Sequence, residues 1–186
     1  MKPRLFFLLL GSTPHGRHIE QHDVYFGIGN SMSDLLPAIY DFWPGTAKIH
    51  IDSWREITAV DGYQVSIVPK TDKLPDAKKI FFLNLGGYKP DDPEEYHYKL
   101  MVVANNKGEA IRKAKQTAFY QHTGFSGAAS HIDDKYGVDV DDIYEIEDIL
   151  DKHSAAEYSI ALHSMPGLPE DRWEVGYLKL AGRESL

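Results

Sequence analysis

Four short pairings of histidine with a carboxylate carry most of the chemistry this chain could do: Glu20 with His22, His50 with Asp52, Glu95 with His97, and His131 with Asp133. In a β-strand, residues two apart project from the same face. Each pair would therefore present an imidazole beside a carboxylate. That combination suits zinc, iron or manganese. A glutamate beside a metal-bound water could also serve as a general base, which nominates Glu20 and Glu95. The expectation is two equivalent metal sites, or one site shared between the pairs. A structural role competes with it. Histidine can bridge backbone groups through both ring nitrogens, and aspartate can cap a turn. Residues that recur in both halves of a chain are more simply fasteners of the fold, because a single active site needs its residues only once. No His-Glu-x-x-His spacing is present to tip the balance.

Two further candidates are weaker. Gly27-x-Gly29 falls at the end of an expected strand and the start of an expected helix, the context of a nucleotide-binding loop. The third glycine is replaced by Met32, so close packing of the turn is the plainer explanation. The loop Ser12–His18 holds His15, Arg17 and His18 and could receive an anionic ligand or an acidic partner. Its counterpart, Gly87–Pro93, is acidic, and an insertion at Gln121–Gly127 has no counterpart at all.

An internal repeat positions these residues. Shifted by 75, Leu5–Gly11 falls on Ile80–Gly86 with five of seven residues identical, and Glu20-Gln21-His22 falls on Glu95-Tyr96-His97. After the insertion the shift becomes 81, placing His50-Ile51-Asp52 on His131-Ile132-Asp133 and Tyr63 on Tyr144. Each copy reads as two strands, a helix and two strands. The helices open on capping-box patterns, Ser31 with Asp34 and Asn106 with Glu109. Leu35, Leu36, Ile39, Phe42 and Trp43 recur at helical spacing, with Pro37 an awkward interruption. Asp61-Gly62 is a hairpin turn, and Asp141-Asp142 its weaker equivalent. The fold expected is α+β: two tandem ββαββ roll-like units spanning 1–70 and 79–151, joined by a linker at 71–78. A C-terminal appendage at 152–186 supplies strand candidates Tyr158–His163 and Trp173–Leu180.

Composition narrows the classes of function. The 186 residues carry a formal net charge of −8. Nine acids and one lysine lie between Asp133 and Asp151, a face that repels phosphate backbones and argues against nucleic acid. The absence of cysteine excludes disulfides, thiol nucleophiles and cysteine-ligated zinc. The basic start followed by Leu5–Leu10 imitates a signal peptide, but its near-copy at Ile80–Leu85 points to a buried strand and a cytoplasmic protein. No run approaches a membrane span.

The stretches Gly11–His18, Glu20–Asp23, His50–Trp54 and Asp61–Tyr63, with His131–Asp134 and Asp141–Tyr144, resemble a bacterial family catalogued as domain of unknown function 1543. The resemblance implies a bacterial, cytoplasmic protein and no particular activity. With no motif specifying a reaction, the leading expectation is a non-catalytic binding or assembly module, able to form a homo-oligomer and acting through its unequal loops. A metal-dependent hydrolase using the Glu/His/Asp set is the alternative. A divalent metal is compatible with the sequence and not required by it.

Overall fold

The structure is a computed structural model and describes residues 2–44, 48–72, 78–88, 93–116 and 138–180. The chain divides into two compact units, residues 1–74 with 150–186, and residues 75–149.

The apolar run Leu5–Leu10 lies within strand β1 (Arg4–Ser12), at the interior of a four-stranded antiparallel sheet. β2 (Gln21–Gly29) flanks it on one side and β3 (His50–Ile57) on the other, and β10 (Glu174–Lys179) extends the sheet beyond β3. A central strand with both faces covered can be apolar throughout. The even residues Phe6, Leu8 and Leu10 pack with Leu35, Ile39 and Tyr40. Phe7, on the opposite face, stacks on Phe26 at 4.4 Å and meets Trp173 edge-on at 4.8 Å. Each fully buried side chain of this kind contributes about 1.5–3 kcal/mol.

Pro37 does not kink a long helix. The segment starts as a 3-10 turn at Met32–Leu35, and α1 (Leu36–Phe42) follows with Pro37 in its first turn, where no intrahelical donor is lost. Asp34 Oδ2 accepts from the backbone N–H groups of Asn30 (2.9 Å) and Ser31 (3.1 Å), as the capping pattern requires. Of the expected helix face, Leu35 and Ile39 are buried, whereas Phe42 is exposed and Tyr40 turns inward.

Asp61 and Gly62 form the two-residue turn between β4 (Ala59–Val60) and β5 (Tyr63–Pro69), with φ of 52° and 74°. Both values belong to the left-handed region that such a hairpin demands. The two C-terminal strands are integral to the first unit. β9 (Tyr158–Ser164), which follows α3 (Lys152–Glu157), pairs with β5, and β10 pairs with β3.

The second unit places β6 (Lys79–Tyr88) between β7 (Glu95–Ala104) and β8 (Val138–Glu145). Phe81, Leu83 and Leu85 face α2 (Lys107–Ala114) through Ala110 and Ala114. Asn106 Oδ1 accepts from the backbone of Glu109 at 3.0 Å, completing the expected cap. Among the described residues this unit has three strands. Asp141-Asp142 is not a turn: both residues lie inside β8. Tyr144 pairs with Phe82 in the register that Arg55 holds opposite Phe7, so it is not the counterpart of Tyr63, which sits in β5 against β9. His131 and Asp133, the insertion Gln121–Gly127 and most of the linker at 71–78 lie outside the described residues. No helix among the described residues is long and apolar enough to cross a membrane.

Candidate metal centre

Gly11 is the seat of the first cluster. In β1 it pairs with His22 of β2 on one side and His50 of β3 on the other. Directly opposed residues share a face, and alternation along β1 makes it the face away from α1. A third side chain comes from a β-bulge. The β1–β3 register shifts between Leu9, opposite Ser53, and Leu10, opposite Ile51, so Asp52 is the extra residue. Asp52, two residues from His50, keeps the His50 face, and the bulge lets Ser53 resume pairing opposite Leu9. Glu20, just before β2, closes the set.

The four side chains alternate around a ring. His50 Nε2 lies 3.1 Å from Glu20 Oε1 and 3.2 Å from Asp52 Oδ1. His22 Nε2 lies 3.7 Å from Glu20 Oε2 and 3.2 Å from Asp52 Oδ2. Each carboxylate thus presents one oxygen to each imidazole. These contacts of 3.1–3.7 Å place an imidazole nitrogen beside a carboxylate oxygen on every side of the ring.

His50 is the anomalous member. Its side chain is 6% exposed, against 45% for His22, 42% for Glu20 and 28% for Asp52. Its Nε2 is buried and makes no hydrogen bond, although two carboxylate oxygens lie within 3.2 Å. Neither oxygen stands where an N–H would donate. A buried polar atom without a partner is costly, unless its partner is a ligand. Tyr177 of β10 stacks on the His50 ring at 4.3 Å and helps seal it. The Leu180 N–H donates to the carbonyl of Ile49 at 3.4 Å, tying the end of β10 to the residue before His50. Space for the imidazole depends on Gly11: a Cβ there would collide with His50 Nε2 and lie 3.0 Å from Asp52 Oδ2.

The second sheet gathers a smaller group. Gly86 pairs with His97 and with Asp139. The β6–β8 register shifts between Asn84, opposite Asp142, and Leu85, opposite Val140, which leaves Asp141 as the bulged residue. His97 Nε2 lies 3.4 Å from Asp141 Oδ2 and 3.8 Å from Glu95 Oε2. One ligand atom from each of the three falls within 4.8 Å of the others. A Cβ on Gly86 would collide with Asp141 Oδ2 and stand 2.6 Å from Glu95 Oε1.

Glu20, His22, His50 and Asp52 are therefore brought together, and Glu95 and His97 are joined by Asp141. The sequence did not mark Asp141, Gly11, Gly86 or Tyr177 as site residues: the glycines read as strand ends and Asp141 as part of a turn. One signal for Asp141 existed: Asp52 and Glu56, four apart, recur as Asp141 and Glu145. Glu56 pairs with Arg4 at 2.8 Å and Glu145 with Lys79 at 2.6 Å. Glu20 sits among the donors themselves, 3.1 Å from His50, which gives it the place of a ligand as well as that of a base.

The other candidates fare differently. The space above Gly27 and Gly29 is taken by Leu35, whose Cδ2 would lie 2.9 and 3.2 Å from added Cβ atoms, so packing accounts for both glycines. His15, Arg17 and His18 are exposed on the β1–β2 connection, which turns through an Arg17 N–H to Pro14 carbonyl bond of 3.1 Å. Buried Ser12 donates to the Lys48 carbonyl at 2.9 Å and so belongs to the fold.

The model of a family described as Domain of Unknown Function (DUF1543) matches residues 17–67, the stretch that carries Glu20, His22, His50 and Asp52. The match does not extend to the second-half stretches, His131–Asp134 and Asp141–Tyr144. No curated protein matches the chain. Among solved structures it is similar to the crystal structure of a protein Il1583 from Idiomarina loihiensis. The two are 24% identical, with a TM-score of 0.64, over 96% of this chain and 98% of that one. At that identity the likeness is one of fold.

Proposed function

We propose that this protein binds a divalent transition-metal ion, zinc foremost, through Glu20, His22, His50 and Asp52. One observation carries the reading: the buried, unpartnered Nε2 of His50 faces two carboxylate oxygens at 3.1 and 3.2 Å. Two imidazoles and two carboxylates are a common zinc donor set. With neutral imidazoles the group carries two negative charges, which a dication would balance. The matching glycines and bulges in the two sheets support reading the units as products of an internal duplication.

Metal analysis of protein purified without chelators, with zinc affinity measured by dye competition, tests the proposal. Tight zinc in the wild type, lost in His50→Ala and in His22→Ala, is the expected result. Equal zinc affinity in all three proteins would overturn it.

A hydrolytic role is the second reading, favoured by the exposure of Glu20, His22 and Asp52, which leaves the centre open to solvent on one side. Turnover of phosphate or carboxylate esters by zinc-loaded protein, abolished in His50→Ala, would establish it. An inert loaded protein would return the reading to a binding module.

A further inference from the structure

We infer that Glu95, His97 and Asp141 form a second cation site, of harder character than the first, that accepts manganese(II). The inference deepens the metal-binding reading, since it takes the first cluster as its standard of comparison.

The two sheets build their clusters with the same devices. Each has a glycine on an interior strand flanked in register by a histidine, His22 or His97. Each has an aspartate at a bulge one residue pair further along. Each has a glutamate two residues before that histidine. In each, a Cβ on the glycine would invade the cluster, meeting His50 and Asp52 at Gly11 and Asp141 and Glu95 at Gly86. The sheets differ at one register position. Opposite Gly11 stands His50, whereas Asp139 stands opposite Gly86. Among the described residues the second sheet therefore brings one imidazole to its cluster where the first brings two.

That difference decides the chemistry. Imidazole favours zinc, copper and iron, and carboxylate oxygens favour magnesium, calcium and manganese. One imidazole with two carboxylates suits manganese better than the all-oxygen ions. By intrinsic affinity zinc exceeds manganese at either site, so the inference concerns the margin between them, which narrows at the second. Side-chain exposures of 29–40% leave room for water to complete a six-coordinate shell.

The test uses the full chain, metal-free at the start. One equivalent of zinc is added to the wild type and to the second-site variants, and none to His50→Ala, whose first site is lost. Manganese(II) chloride is then titrated, and free manganese is read by electron paramagnetic resonance. The expected result is one bound manganese per chain in the wild type and in His50→Ala. Its affinity should fall at least tenfold in both His97→Gln and Asp141→Asn, changes at exposed positions. Manganese binding unaltered by either of these, or abolished by His50→Ala, overturns the inference. If zinc affinity ignores His50 while manganese binding depends on His97 and Asp141, the first-site reading fails and the second site stands.

Discussion

Gly11 and His50 face each other across the β1–β3 ladder, and any side chain at position 11 would occupy the place of the His50 Nε2. The glycine is thus a requirement of the cluster, beyond being the residue that closes an apolar strand. Gly11→Ala should push the ring off its seat. Zinc affinity should fall about 10–100-fold, the usual cost of disturbing a ligand's support. Stability should fall by about 1–3 kcal/mol from overpacking. Dye competition and urea denaturation read the two effects separately. An unchanged zinc affinity would show that the ring relaxes without loss.

The unpartnered nitrogen gives opposite signs for the two roles of His50. If the imidazole were a fastener, removing it would break hydrogen bonds and destabilise. Because its buried Nε2 makes none, His50→Leu in the presence of a chelator should be neutral or stabilising by about 0–2 kcal/mol. With zinc at a hundred times its dissociation constant, the wild type alone should gain about 2.7 kcal/mol. Thermal unfolding with and without zinc measures both. Destabilisation of His50→Leu beyond 2 kcal/mol in chelator would favour the fastener.

Protons and metal compete for the same imidazole lone pairs. Zinc affinity should therefore decline as the pH is lowered through the range where histidine protonates. The decline should be steeper for the first site, with two imidazoles, than for manganese at the second, with one. Isothermal titration at several pH values in buffers of differing ionisation enthalpy counts the protons released. Equal counts at both sites would contradict the donor sets assigned.

Glu109 supplies a pH prediction for the fold. The backbone N–H of Asn105, at 2.9 Å, and its side-chain amide, at 2.7 Å, hold the Glu109 carboxyl below its ordinary range. A depressed carboxylate stabilises the folded state above the pH at which the unfolded chain titrates. That contribution disappears as the pH falls through the folded value. Acid should therefore fray the start of α2, and Glu109→Gln should fray it at neutral pH as well. Hydrogen exchange of the first-turn amides at pH 7 and pH 3 reads this, and equal protection in wild type and variant would count against it.

At the Asp61-Gly62 turn, Gly62 has φ of 74° and its carbonyl accepts from the Met165 N–H at 2.8 Å. Gly62→Ala should cost about 1–2 kcal/mol, because a Cβ in the left-handed region meets the following carbonyl. Denaturant midpoints measure it, and a shift under 0.5 kcal/mol would mean that the turn relaxes.

Much of the architecture was legible in local chemistry. Leu5–Leu10 and Ile80–Leu85 read as buried strands, because a short apolar run that recurs in mid-chain and closes on glycine suits a strand and is too short to span a membrane. The Asp61-Gly62 turn and the caps at Asp34 and Asn106 followed from positive φ and from donors left over at helix starts. Glu20, His22, His50 and Asp52 were nominated by the two-residue spacing alone, and all four meet.

The second cluster was legible only in part. Glu95 and His97 follow the same spacing rule, but their partner is Asp141, which the sequence placed in a turn. Strand pairing is decided by packing over the whole sheet, and a bulge inserts one residue at a point that no local pattern announces. The sequence by itself determined which residue types could act and which short neighbours share a face. The tertiary structure alone decided that Asp52 and Asp141 both sit on bulges, that Gly11 and Gly86 open the space beneath them, and that Tyr177 covers His50. Those relationships join residues 41 to 127 positions apart, and only the assembled sheets fix them.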